Sequence, residues 1–422
     1  MKQSEFQRFD FAKPAMTMMF FLQPIAWGFS YFFFKKLKVK INRMNMEGLN
    51  PPYLLLVNHN SFNDFLITTI ATFPRRSTNV VAIDGFIGRE WLLRWAGCLG
   101  KRKFTSDIVL VRQLRRILQG GHTVILYPEA RYSLCGTTAV LPEALGKMVK
   151  IFQVPVVTQI IHGNHILKPF WDPRERGIHN LEADMTQILS VEEIKNLPVD
   201  EINRIIREAF SYDEFAWQKA KGIRVTDPNR AHQLHKVLYQ CPYCGKEYQM
   251  AGEGIKIRCE ACKKSWTMSE LGELQADEGE TEFSHIPDWY EWERLQVRKE
   301  VENGTYSFTS QVHVNSLPNA KRFIPLGKAT LTHNMHGFRL EGVYEGEPYL
   351  IEQPVNMTYS VHIEYEYLKK FGDCLDLNTS EDTLYVYPED CLFSLTKFAL
   401  ATEELYQANE RKLKAEKSNA NS

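Results

Sequence analysis

The sequence lacks an excess of charge of either sign. Lysine and arginine together number 51, and so do aspartate and glutamate, so the formal net charge is zero. Proteins whose main partner is nucleic acid usually carry a strongly basic surface. We therefore expect no nucleic-acid partner for the chain as a whole, although local basic patches remain compatible with this balance.

Two further sequence patterns are missing. There is no Gly-x-Ser-x-Gly motif, which in many hydrolases places a nucleophilic serine on a sharp turn. No cleavable secretion signal is evident, because the apolar residues 16–34 run directly into KKLKVK without a small-residue cleavage site. We expect a reducing, cytoplasmic setting, in which paired cysteines hold metal more often than they form disulfides.

Length and composition predict a globular chain of several domains. Its 422 residues are 44% hydrophobic and 24% charged, which favours two or three folded domains. Between residues 41 and 230, short apolar runs alternate with helical patterns, which predicts an α/β domain with a mainly parallel sheet. The predicted strands are 53–57, 79–83, 123–127 and 154–161, and the predicted helices are 89–97, 107–119 and 142–152.

The segment 52–64, PYLLLVNHNSFND, ends an apolar strand in a cluster of polar residues. A histidine that is oriented by a carboxylate can act as a general base, and His59 precedes Asp64 by five residues. The spacing also occurs at His179 and Asp184, but no apolar strand precedes that pair, and we take it as coincidence. Asn58 and Ser61 complete the pattern Asn-His-x-Ser-x-x-Asp and are predicted binding residues.

This pattern resembles the first motif of the 1-acyl-glycerol-3-phosphate (lysophosphatidate) acyltransferase family, and the likeness extends over about residues 40–210. The segment EARYS resembles the phosphate-binding motif of that family, commonly FPEGTRS. Glu129 and Ser133 match in register, whereas Ala130 replaces the glycine. The arginine comes one position early, at Arg131, and Tyr132 stands in its usual place.

Two weaker segments follow the order of the family. GKRKF, with Lys101, Arg102 and Lys103, loosely resembles an intermediate motif that helps to hold glycerol phosphate, and VPVV at 154–157 resembles the fourth motif. The resemblance implies that these cations, together with Glu129 and Arg131, bind the phosphate of the acceptor, and that Ser133 is also a substrate-binding residue. Two other interpretations stay open: the basic segment as a solvated turn, and Glu129 with Arg131 as a structural ion pair.

The resemblance implies a phospholipid-biosynthetic acyltransferase. A fatty acyl group would pass from acyl-CoA or acyl-ACP to the free hydroxyl of a lysophospholipid, with His59 as base, no covalent intermediate and no catalytic metal. One alternative keeps acyl transfer but changes the acceptor to another lysophospholipid or a lipid without phosphate. The other alternative is a membrane lipid-binding scaffold without catalysis.

Four cysteines predict a metal site that is independent of this motif series. They form the pattern C-x2-C-x14-C-x2-C, and their members are Cys241, Cys244, Cys259 and Cys262. Four thiolates surround Zn²⁺ as a tetrahedron and leave no position for water, so the site would be structural. We predict a zinc ribbon at 236–270; two redox-active cysteine pairs are the alternative.

The remaining segments complete the predicted organisation. Residues 1–40 would associate with the cytoplasmic face of the membrane, because residues 16–34 are aromatic-rich and four lysines follow them. A buried core helix is the alternative for that stretch. The predicted domains are the acyltransferase domain at 41–230, an acidic connector helix at 271–304, a β-rich domain similar to pleckstrin-homology or GRAM domains and closed by a helix at 305–408, and a polar tail at 409–422.

Overall fold

The computed structural model describes residues 7–105, 107–366, 371–389 and 394–420. The chain divides into two compact units. The first, here the α/β unit, comprises residues 9–101 and 106–227. The second, here the β-rich unit, comprises the described part of 1–8 together with 102–105 and 228–422.

The α/β unit is built on a sheet of seven described strands. Its strands are β1 (Lys40–Met44), β2 (Leu54–Val57), β3 (Ser77–Ala82), β4 (Cys98–Lys101), β5 (Thr123–Leu126), β6 (Val156–His162) and β7 (Glu182–Leu189). They lie in the order β1-β7-β6-β2-β5-β3-β4, and every neighbouring pair is parallel except β6 with β7. The predicted α/β fold with a mainly parallel sheet is confirmed.

Helices connect these strands. They are α1 (Leu22–Leu37), α2 (Asn63–Thr72), α3 (Glu90–Trp95), α4 (Ile108–Gln119), α5 (Ala144–Phe152), α6 (Asn164–Leu167), α7 (Val191–Asn196), α8 (Val199–Ala209) and α9 (Glu214–Lys221). The bounds of the predicted strands and helices agree with the structure within two residues. Sequence signals fix several helix starts: Ser190 and Glu193 form a capping box at α7, and the Asp107 carboxylate accepts from the backbone N–H of Leu110 at 2.8 Å.

The strand β2 lies at the centre of the sheet and is buried. All four of its residues are fully buried, as expected for an apolar run that is covered on both faces. Because β2, β5 and β6 are parallel neighbours, their carboxyl ends meet at one edge of the sheet. The polar segments that follow these three strands are therefore brought together.

The helix α1 covers most of the predicted membrane-associating stretch. It begins at Leu22, and only Ser30 and Leu37 of its residues are buried. Among the described residues, no helix combines the length and the apolar composition needed to cross a membrane.

The β-rich unit contains two antiparallel sheets. The smaller sheet has the order β11-β10-β9-β8, with β8 at Met250–Glu253, β9 at Lys256–Cys259, β10 at Ser265–Met268 and β11 at Leu274–Ala276. A long helix, α10 (Ile286–Glu302), follows it. The indole N–H of Trp289 on α10 donates to the carbonyl of Gln240 at 2.9 Å, which ties the helix to the first cysteine knuckle.

The larger sheet and the first part of the helix that follows it lie in the predicted β-rich domain. Its strands are β12 (Ser307–Ser316), β13 (Ile324–Asn334), β14 (Gly337–Tyr344), β15 (Glu347–Pro354), β16 (His362–Glu364), β17 (Cys374–Asn378) and β18 (Thr383–Pro388). Their order is β15-β14-β13-β12-β18-β17-β16, and α11 (Leu395–Ala420) follows. The turn at Gly337 requires glycine, because a Cβ there would lie 2.1 Å from the carbonyl oxygen of Gln353. The helix α11 continues through most of the predicted polar tail.

Candidate active site and metal centre

His59 and Asp64 form a hydrogen-bonded pair at the end of β2. The ring Nδ1 of His59 lies 3.2 Å from Oδ2 of Asp64, and the histidine side chain is 24% exposed whereas the carboxylate is fully buried. A carboxylate only accepts hydrogen bonds, so in the neutral imidazole this contact places the proton on Nδ1 and leaves the lone pair on Nε2. This is the tautomer that a general base requires.

The Asp64 carboxylate is held by three further donors. Its Oδ2 accepts from the backbone N–H groups of Asn60 at 2.6 Å and Ser61 at 2.8 Å. Its Oδ1 accepts from the amide Nδ2 of Asn164 at 2.6 Å. Together with the contact to His59, these hydrogen bonds fix the orientation of the carboxylate.

Asn58 and Ser61 are engaged inside the protein. The amide of Asn58 is fully buried; it accepts from the backbone N–H of Ile161 at 2.8 Å and donates to the same residue's carbonyl at 3.0 Å. The hydroxyl of Ser61 accepts from the backbone N–H of Asn63 at 3.2 Å. These contacts brace the loop between β2 and α2, and substrate binding by either residue stays a prediction.

Glu129 fixes the backbone of His59. Its Oε2 accepts from the His59 N–H at 2.7 Å, and its Oε1 accepts from the Ala139 N–H at 2.8 Å and the Tyr212 hydroxyl at 3.0 Å. Burial raises the pKa of Glu129 to about 7, against the opposing effect of these donors and of the positive charge of Arg131. Both carboxylate oxygens are thus bonded within the protein.

The rest of the EARYS segment packs around the same loop. The backbone N–H of Ser133 donates to the carbonyl of His59 at 2.8 Å, and the Ser133 hydroxyl donates to the carbonyl of Thr137 at 2.6 Å. Arg131 is almost fully buried. Its contact with a phosphate stays a prediction.

Two tyrosine rings enclose the imidazole of His59. The ring centroids of Tyr127 and Tyr132 each lie 4.3 Å from that of His59, at interplanar angles of 35° and 42°. The ring centroid of Phe170 lies 5.0 Å from that of Tyr132. Sequence reasoning identified Tyr132 only as a residue in the place of an arginine and did not predict its contact with the histidine.

The three cations of GKRKF are divided between the two units. Lys101 is the last residue of β4 in the α/β unit. Arg102 and Lys103 belong to the β-rich unit, where Arg102 donates to the carbonyl of Pro318 at 3.2 Å and Lys103 pairs with Asp376 at 3.2 Å. These bonds hold the side chains of Arg102 and Lys103 within that unit, and phosphate binding by the three cations stays a prediction.

The four cysteines of the predicted zinc site converge in the β-rich unit. Their sulfur atoms all lie within 4.8 Å of one another, with 3.7 Å between Cys241 and Cys262 and 3.8 Å between Cys244 and Cys259. Four ligands at about 2.3 Å from a tetrahedral Zn²⁺ are about 3.8 Å apart. The arrangement fits a structural zinc ion.

Comparison with known proteins gives little beyond the fold. No family model matches the chain, and no curated protein matches it. One solved structure that it resembles is the 1-acyl-sn-glycerophosphate (LPA) acyltransferase PlsC from Thermotoga maritima, with a TM-score of 0.37 and 17% sequence identity over 45% of this chain and 77% of that chain. A likeness of this extent assigns neither a family nor a reaction.

Proposed function

We propose that the α/β unit is an acyltransferase. In this proposal, it moves a fatty acyl group from the thioester of acyl-CoA or acyl-ACP to the free hydroxyl of 1-acyl-glycerol-3-phosphate. The observation that carries the proposal is the contact between Nδ1 of His59 and the buried Asp64, which in the neutral imidazole leaves the lone pair of the partly exposed ring on Nε2.

The reaction would proceed by direct transfer. Nε2 of His59 takes the hydroxyl proton as the acceptor oxygen attacks the thioester carbonyl, and the tetrahedral intermediate collapses by expelling the thiolate. The imidazolium then returns its proton to that thiolate, so that the base is regenerated. The positive charge that forms on the ring is stabilised by Asp64 and by the faces of Tyr127 and Tyr132.

The cysteines of the α/β unit favour direct transfer over a covalent acyl-enzyme. Burial raises the pKa of the Cys98 thiol to about 12, which leaves almost no thiolate at neutral pH. Cys135 is also buried, and its sulfur lies 3.1 Å from the hydroxyl oxygen of Thr137. Neither thiol has the setting of an activated nucleophile.

The test is acyl transfer by the purified protein. Thiol release from acyl-CoA or acyl-ACP and mass spectrometry of the lipid product should both report turnover with lysophosphatidate. His59→Ala should lower kcat by about 10²–10⁴-fold, as expected for the loss of a general base. His179→Ala is the matched control, because His179 is an exposed histidine of the same unit. Equal turnover by the two variants would refute the role of His59.

A second acceptor class is favoured by one observation. Tyr132 stands where the resembled motif has arginine, and its ring lies against the base rather than offering a charge. An acceptor whose hydroxyl has no neighbouring phosphate would fit against the uncharged ring of Tyr132 without needing a cation there. Parallel assays with a lysophospholipid series and a neutral monoacylglycerol distinguish the two, and Arg131→Lys should raise KM only for the phosphate-bearing acceptor.

We also propose that the α/β unit binds a membrane surface through an aromatic face. The exposed members of this face are Phe20, Ile25, Phe29, Phe32, Trp91 and Trp95. Phe21 joins the two helices, because its ring centroid lies 6.2 Å from that of Trp95. Lysines follow at the end of α1, where they would meet anionic headgroups.

Vesicle co-sedimentation tests this binding. Phe29→Ser combined with Phe32→Ser should lower the fraction bound to vesicles of phosphatidylcholine and phosphatidylglycerol, since both side chains are more than half exposed. Tyr243→Ser is the matched control, because Tyr243 is an exposed aromatic residue of the other unit. Binding that is unchanged in the double variant would contradict the proposal.

A further inference from the structure

One donor to the Asp64 carboxylate comes from a distant part of the chain. Asn164 is the first residue of α6, is separated from the end of β6 by Gly163, and lies 100 residues beyond Asp64. Its Nδ2 is 2.6 Å from Oδ1 of Asp64, and both side chains are fully buried. Water therefore does not reach this carboxylate oxygen, and Asn164 supplies the hydrogen bond that water would otherwise give.

The amide of Asn164 serves this one contact. Its Oδ1 has no hydrogen-bond partner among the described residues. Two other buried asparagines use both ends of the amide within the protein: Asn58 on the backbone of Ile161, and Asn203 on Gly146 and Glu143. The distinguishing feature of Asn164 is that the one bonded end of its amide contacts the carboxylate that orients the proposed base.

We infer that Asn164 is a positioning residue for the proposed base. It holds the Asp64 carboxylate turned so that Oδ2 faces Nδ1 of His59. The kinetic part of this inference rests on the proposed function, whereas its structural part, the proton position on His59, does not.

The inference has a direct physical consequence. Without Asn164, Oδ1 of Asp64 becomes a buried charged acceptor without a donor, a costly arrangement that rotation or protonation of the carboxylate relieves. Either change weakens the acceptor for Nδ1–H of His59. The imidazole then loses its bias toward the tautomer with a free Nε2 lone pair.

Other ionisable groups surround the pair and stay unchanged in the test. They are Tyr127 and Tyr132 against the imidazole, Glu129 and Tyr212 at the His59 backbone, Arg131 near Glu129, and Glu214 with His162 at the end of β6. Because all of them remain in the Asn164 variants, differences between those variants and the wild type report on the Asp64 contact.

The first measurement is nitrogen NMR of ¹⁵N-histidine-labelled protein. The His59 signals are assigned by their loss in His59→Gln. In the wild type we expect Nδ1 to carry the proton, and in Asn164→Leu we expect a mixture of both tautomers. An unchanged Nδ1–H tautomer in Asn164→Leu would overturn the inference, whatever the enzymatic activity proves to be.

The second measurement is the pH profile of acyl transfer. Asn164→Leu should lower kcat about ten- to a hundredfold, the effect of one hydrogen bond to a charged group, and leave KM for the thioester within about twofold. At acidic pH the carboxyl of the Asn164→Asp variant is protonated and can donate to Asp64, so its kcat should approach that of the wild type at the same pH. As the pH rises, the ratio of its kcat to the wild-type kcat should fall. A purely structural role would not give this rescue.

Asn203→Leu is the matched control, because Asn203 is a buried asparagine of the same unit that does not contact the pair. It should lower stability and leave the shape of the pH profile unchanged. If Asn164→Leu fails to fold, Asn164→Asp and Asn164→Ser are measured instead. Wild-type profiles and tautomers in the Asn164 variants would overturn the inference; a wild type without acyl transfer would refute the proposed function and leave the NMR result to decide.

Discussion

Raising the pH from about 4.5 to 8 should weaken the folding of the α/β unit through one carboxyl group, Glu129. Burial raises its pKa from 4.5 to about 7 in the folded protein, so the folded state keeps this proton over a range in which the unfolded state releases it. The unfolded state binds fewer protons there, and the free energy of unfolding falls as the pH rises. The stabilisation is complete below pH 4.5 and is lost by the time the pH passes 7.

The magnitude follows from the two pKa values. The interval from 4.5 to about 7 corresponds to about 3 kcal/mol at about 1.4 kcal/mol per pH unit. Glu129→Gln removes the titrating group and keeps nearly the same shape. The difference in unfolding free energy, wild type minus Glu129→Gln, should therefore decrease by about 3 kcal/mol between pH 4.5 and 8.

The assay is urea unfolding of both proteins at a series of pH values, with zinc present throughout. Hydrogen exchange of the peptide that contains β2, measured by mass spectrometry and corrected for intrinsic rates, reports the unfolding free energy of the α/β unit separately from that of the β-rich unit. Glu214, whose pKa burial also raises, is present in both proteins and cancels in the difference. A difference that stays constant across this pH range, or that increases with pH, would refute the reasoning.

Three other predictions concern zinc binding and stability. Zinc should bind with a stoichiometry of one per chain in native mass spectrometry, and Cys259→Ser should lower that occupancy and expose the ribbon to limited proteolysis. Arg294→Ala should lower the free energy of unfolding by about 3–5 kcal/mol in urea, because it removes the guanidinium that lies 2.8 Å from the buried Glu403 carboxylate; a loss below about 1 kcal/mol would contradict this. Ser190→Ala should cost about 1 kcal/mol by removing the cap of α7, and a melting temperature equal to that of the wild type would count against the capping box.

The sequence predicts the part of the site that is local in the chain. The apolar run before Asn58 predicts a buried strand, and the short distance to Asp64 lets one turn join His59 to its carboxylate. The same holds for the four cysteines, whose two short pairs form compact knuckles. Local spacing constrains geometry strongly because few backbone conformations satisfy it.

The sequence does not predict contacts that depend on the packing of distant segments. Asn164 belongs to no recognisable sequence motif. The sequence could have pointed to it only through its position just beyond β6, the strand that lies next to β2 in the sheet. The position of Arg102 and Lys103 in the β-rich unit likewise depends on tertiary structure, since their adjacency to Lys101 suggests one basic surface. The antiparallel strand β7 is also not predicted, because residues 182–189 lack a continuous apolar run.

The bonds of Glu129 have a consequence for how the site assembles during synthesis. One carboxylate collects donors from residues 59, 139 and 212, which are widely separated along the chain. A nascent chain that has emerged only as far as α6 already contains His59, Asp64 and Asn164, yet it lacks Tyr212, which completes this junction. The proposed base therefore gains its full support only after translation has passed α8.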